Sequence, residues 1–141
     1  MKIAVVTAVA ALLASGCGAQ TGRYAKFTNW GDARDWEVWR QADGRYFFRS
    51  TDFVGTHYGS CVDGGRIIEL DGRTVRDTYE GEYFPPGSAH YPTRKSAWAE
   101  LSNDFFDQRQ VEQALTGGTD RARPKWLRGF DHCKFKPRRI F

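Results

Sequence analysis

The sequence predicts an α+β domain: a small antiparallel sheet of hairpins, one amphipathic helix packed on it, and one disulfide. Three observations carry that expectation. Asp-Gly dipeptides at 43–44, 63–64 and 71–72 separate short aromatic or branched runs, and Asp-Gly suits the positive-φ turns of tight hairpins. One later stretch repeats its apolar residues at helical spacing. Two cysteines, Cys61 and Cys133, stand far apart in a chain that begins with an export-like leader.

The leader opens with Lys2 and an apolar run from Ile3 to Leu13. That run is shorter than the ~20 apolar residues of a membrane-spanning helix. A charged start, a short apolar run and small exit residues describe a secretory signal peptide. The exit reads Ala14-Ser15-Gly16-Cys17, which resembles the lipobox of bacterial lipoproteins, including phage- and plasmid-encoded ones. That family prefers Leu three residues before the Cys; this chain has Ala14 there and Leu13 one step further out. The resemblance implies cleavage before Cys17, a diacylglyceryl thioether on its sulfur and, in many bacteria, an acyl chain such as palmitate on its new amine. Gly18 in place of Asp implies sorting to the outer membrane in a Gram-negative cell. The alternative is an ordinary signal peptide cut after Gly16 or Ala19, with Cys17 incidental. The expected organisation is therefore a leader over 1–16, a lipidated tether over 17–29 and a single α+β domain over 30–141. The small, polar run "GAQTGRYAKFTN" suits the tether.

Within the domain, Trp36–Arg40 and Arg45–Arg49 flank the first Asp-Gly and read as paired strands. The approach "NWGDARDWEVW" also fits a short helix capped by Asn29 or Asp32. An extended piece is expected over Thr56–Val62. Arg66–Leu70 and Thr74–Tyr79 form the second hairpin around Asp71-Gly72. The prolines of Phe84–Pro92 then break regular structure. Beyond them Ala97, Trp98, Leu101, Phe105, Val111 and Leu115 share one helical face, with Gln108 a polar exception. Ser96 is the expected N-cap and Gly117-Gly118 the stop. The remainder is a basic, aromatic loop tied back by Cys133, with one last strand expected near it.

The net charge of +4 falls to +3 once the leader and Lys2 are removed. That is short of the basic density of a dedicated nucleic-acid binder, and export argues further against nucleic acid. In an oxidising compartment Cys61 and Cys133 are expected to pair. The competing reading makes Cys61 a nucleophile four residues after His57, but an exported thiol tends to oxidise. His57, His90 and His132 have no metal-ligand spacing. There is no Gly-rich phosphate loop, no G-x-S-x-G and no H-E-x-x-H, so no metal, cofactor or catalytic residue is expected. Glu80 and Glu82 fit a solvated strand face better than a catalytic pair.

The aromatic load is more informative. Five Trp, six Tyr and ten Phe are interleaved with arginines, the residue types that carry interface hot spots. The first hairpin places Trp36 and Val38 on one face and Trp39 on the other, whereas a sheet buried on one face alternates apolar with polar. That surplus nominates Trp36, Trp39, Arg45, Trp126 and Arg128 as binding residues. The expected function is an envelope-anchored lipoprotein whose domain binds an envelope protein, one form of which occludes a receptor in superinfection exclusion. A wall- or glycan-binding domain, stacking sugars on Trp36, Trp39 and Trp126, is the alternative. A third is an envelope hydrolase using His57 or His132. Lys134, Lys136, Arg138 and Arg139 are placed to meet anionic headgroups, lipopolysaccharide or wall polymer, unless they are a solvated tail.

Overall fold

Among the described residues, eight strands make one sheet in the order β7-β1-β2-β3-β4-β5-β6-β8. The computed structural model describes residues 21–29, 34–51, 60–62, 65–72, 74–79, 81–84, 98 and 106–137. Strands β1 (Thr21–Thr28), β2 (Asp35–Gln41), β3 (Tyr46–Ser50), β4 (Arg66–Asp71), β5 (Thr74–Asp77) and β6 (Glu82–Phe84) form an antiparallel meander. Helix α1 (Gln108–Thr116) follows, then β7 (Thr119–Ala122) antiparallel to β1. Helix α2 (Leu127–Asp131) and the two-residue β8 (Lys136–Pro137), parallel to β6, close the chain. This is the small α+β fold expected, with the disulfide Cys61–Cys133 at a Cα–Cα distance of 5.7 Å.

Both expected hairpins are present, Trp39 opposite Phe47 in the first and Leu70 opposite Val75 in the second. Gly44 (φ 97°) and Gly72 (φ 57°) take the left-handed conformation at their turns, where a Cβ would be strained.

Four expectations need correction. The tether assigned to 17–29 instead contributes β1, whose Tyr24 and Ala25 are buried between β2 and β7. Adjacent Tyr24 and Ala25 are buried toward opposite faces of the sheet, so no simple apolar–polar alternation marks this strand. The single long helix is also revised: Trp98 is helical, but the helix is not continuous through Phe106 and Asp107. Helix α1 begins at Gln108, because Asp107 is extended (φ −101°, ψ 165°) and its carboxylate accepts the Gln110 N–H at 2.8 Å. Phe106 enters the core, and Gln108 starts α1 instead of interrupting an apolar face. A second helix, α2, lies in what reads as loop. The end of the piece expected to be extended, residues 60–62, is irregular. The leader with Cys17, the Asn29–Asp35 approach at 30–33, His57, Asp63-Gly64, Glu80, the segment 85–92 with His90, and Ser96, Ala97, Leu101, Phe105, Arg138 and Arg139 lie outside the described residues.

The sheet is buried on both faces. On the first, Ala25, Trp36, Val38, Phe48, Ile68, Leu70 and Val75 pack with Val111 and Leu115 of α1 and with Phe106. Phe106 meets Trp36 and Phe27 edge-on at 5.1 and 5.2 Å and Phe48 at 4.5 Å. On the second face, Tyr24, Trp39, Phe47 and Ile67 pack with Val62 and with Leu127 and Phe130 of α2. The disulfide staples this second layer to the loop after β3. Closing a loop of 72 residues stabilises the fold by about 4 kcal/mol on the chain-entropy model.

Candidate binding cleft

The ends of three strands converge on a cleft of about 430 Å³. Strand β1 supplies Lys26, Phe27 and Thr28, β2 supplies Asp35, Trp36 and Glu37, and Arg49 and Thr51 come from the end of β3. The register sets Lys26 opposite Glu37 and Glu37 opposite Arg49, so cation, anion and cation sit side by side across the second face. Phe27 and Trp36 pair on the opposite, first face, where Trp36 is buried in the core. Thr28 Oγ1 donates to Asp35 at 2.8 Å, and Gln110 Nε2 of α1 donates to the Thr28 carbonyl at 2.7 Å. The rim is thus held from both sides.

Glu37 is the most constrained charge in the cleft. Its Oε2 is buried, accepts no hydrogen bond among the described residues and faces Arg49 Nη1 at 3.5 Å. Burial pushes the Tyr24 phenol above the ordinary tyrosine range, and the Glu37 charge and hydrogen bond push it further up, so Tyr24 stays a neutral donor to Glu37. Arg49 also lies over the Trp126 ring at 5.9 Å, which links the cleft to the C-terminal layer.

The structure sorts the five nominated binding residues. Trp36 and Trp39 are 1% and 0% exposed, which removes them from any exposed platform. Trp39 lies against Gly22, where a Cβ would come within 2.6 Å of its indole, and its Nε1 donates to the Arg121 carbonyl of β7 at 3.2 Å. Its polar atom is satisfied and its ring fills the second core. The aromatic surplus on both faces of the hairpin is therefore a second core rather than an exposed surface. Arg45 is held by Asp43 at 2.9 Å and by Glu69 at 3.4 Å. Trp126 is half-buried and Arg128 exposed, so these two remain at the surface. A sugar-stacking platform keeps one of its three rings, and His132 is exposed just beyond α2. Among the described residues no group of three or more His, Cys, Asp or Glu could hold a metal ion.

Sequence reasoning missed Lys26, Glu37 and Arg49. Their alternation within β1, β2 and β3 marks one face, but only the register brings them level. Buried Glu69 was also missed. It is 1% exposed and accepts from Arg76 Nε at 2.6 Å and Nη2 at 2.7 Å. Arg76 in turn lies over Phe130 and Phe135 at 5.0 and 5.1 Å. This paired carboxylate ties the sheet to the second layer and lies outside the cleft.

Comparison of the chain with family models, with curated proteins and with solved structures finds no match.

Proposed function

We propose that this protein is an exported lipoprotein, anchored to the envelope through Cys17, whose domain holds a polar segment of another envelope protein in the cleft at the ends of β1–β3. The lipobox-like leader supports the anchor and, through Gly18, the outer membrane in a Gram-negative cell. The observation that carries the binding reading is the row Lys26–Glu37–Arg49 set level by the register along the cleft. Fixed charges of both signs suit a peptide segment, which offers amides, carboxylates and amines together. Receptor occlusion is one process such a module serves.

Only Gly18, Ala19 and Gln20 separate Cys17 from Thr21, at most about 15 Å of extended chain. The cleft lies at the other end of β1, about 23 Å further along the strand, so the anchor leaves its mouth clear.

Two measurements test this reading. The mass of the mature N-terminal peptide from cells is expected to carry a diacylglyceryl group on Cys17; an unmodified peptide starting at Gln20 or elsewhere contradicts the anchor. A photoreactive residue at exposed Thr28 is expected to crosslink one dominant envelope protein. Adducts to wall fragments, or none from a folded domain, contradict the binding reading.

A further inference from the structure

Many cations of the sheet, Arg40, Arg45, Arg66 and Arg76 among them, face a carboxylate, whereas exposed Lys26 and Arg121 form no ion pair among the described residues. Lys125, Arg128, Lys134 and Lys136 are exposed and form no ion pair among the described residues. Lys125, Arg128 and Lys134 belong to the layer that covers the second face of the sheet, and Lys136 follows on the edge strand β8. Leu127 and Phe130 of that layer are buried and Phe135 packs against the same core, so the layer turns its apolar side inward and its lysines and Arg128 outward. Its one exposed acid on α2, Asp131, is neutralised by Arg123 at 2.7 Å. The opposite face is different: α1 and its cap carry Asp107, Arg109 and Glu112, of which Glu112 is paired with Arg40 at 3.0 Å.

We propose that the outer surface of the C-terminal layer, Lys125, Arg128, Lys134 and Lys136 with half-buried Trp126, is a docking face for anionic phospholipid headgroups. The charge segregation carries this by itself. The resulting orientation, with the domain lying beside its own anchor, rests on the lipid attachment proposed above. The short connection suits that posture, because β7 enters the layer at Ala122, which pairs with Thr21 at the anchored end of β1. Headgroup phosphates attract each cation near the surface enough to raise partitioning about five-fold, and a Trp at the rim suits the membrane–water interface.

The test uses the full chain carrying Cys17→Ser, so that acylation plays no part, with vesicles of phosphatidylglycerol and phosphatidylethanolamine or of phosphatidylcholine alone. Sedimentation is expected to show at least about ten-fold stronger partitioning into the anionic vesicles, fading as salt shortens the screening length. The leader's amine and Lys2 favour anionic vesicles alike in every variant, so the layer's share is read as the fold-change between parent and variant. Reversing Lys125, Arg128, Lys134 and Lys136 to Glu is expected to cut the anionic preference at least about ten-fold, whereas Arg109→Glu on α1 leaves it within about two-fold. If the reversed chain fails to form its disulfide, replacing the same four residues by Gln gives the same readout. An absent anionic preference, its undiminished survival in the reversed chain, or an equal loss from Arg109→Glu overturns the proposal. Each outcome is independent of whether Cys17 is acylated in cells.

Discussion

The two faces of the sheet are covered by unlike means. Over the first lies a nine-residue helix with its own cap, a regular apolar face and Phe106 wedged among three aromatic rings. Over the second lies an irregular segment whose helix has five residues, too few to be stable on its own. That second layer is held instead by a disulfide, by Arg76 stacked beneath Phe130 and Phe135, and by the bidentate pairing of Arg76 with buried Glu69. A capped helix, with Glu112 paired to Arg40, holds one cover, and a disulfide with the pairing of Arg76 to buried Glu69 holds the other. The aromatic load of the first hairpin follows from this, since each of its faces has a cover to pack against.

Substitutions probe that contrast, and the largest effect is expected at Trp39. Trp39→Ala opens a cavity in the second core and strands the Arg121 carbonyl, costing about 5 kcal/mol in denaturant unfolding; Trp126→Ala costs under about 1. Equal, small losses at both would return Trp39 to the surface. Replacing Cys61 and Cys133 by Ser is expected to cost about 4 kcal/mol, and a chain left unchanged in stability would mean that the second cover holds without its staple. Arg76→Met leaves the Glu69 carboxylate buried with only Arg45 beside it, for about 3 kcal/mol; a thermal midpoint equal to the parent's would refute that role. On the first face, Asp107→Ala removes one cap and is expected to cost only about 1 kcal/mol, readable as fraying of α1 in amide exchange.

A tyrosine near each cover extends the comparison to alkaline pH. Burial pushes both Tyr24 and Tyr46 above the ordinary tyrosine range, Tyr46 helped by donating to Glu112. The native state therefore holds these protons more tightly than the unfolded chain. That stability is complete below about pH 10, where the unfolded phenol is still protonated, and is lost as pH rises through the raised native values. Tyr46→Phe is expected to flatten its share of the alkaline loss, and an unchanged slope in pH-dependent unfolding would contradict it.

Much of the fold was legible because its signals are local. Asp43-Gly44 and Asp71-Gly72 mark their turns by conformation alone, and the pairing of Cys61 with Cys133 was expected from an export-like leader. The helix start was legible too: Asp107 with Gln110 three residues on is a capping signature, overlooked because the apolar spacing ran through it. What local pattern could not supply is which faces are covered. Trp39 on an exposed face and Trp39 beneath α2 give the same hairpin sequence; only the return of residues 119–136 across the sheet separates them. The cleft was hidden for the same reason, since Lys26, Glu37 and Arg49 become neighbours through register, and nothing near any one of them in sequence marks it.

The most direct test of two unlike covers is amide hydrogen exchange on the oxidised and reduced protein under native conditions. Reduction is expected to release protection across 127–136 while 108–116 and the central strands retain theirs. Loss of protection in both covers together, or in neither, would contradict a second face held by its crosslink.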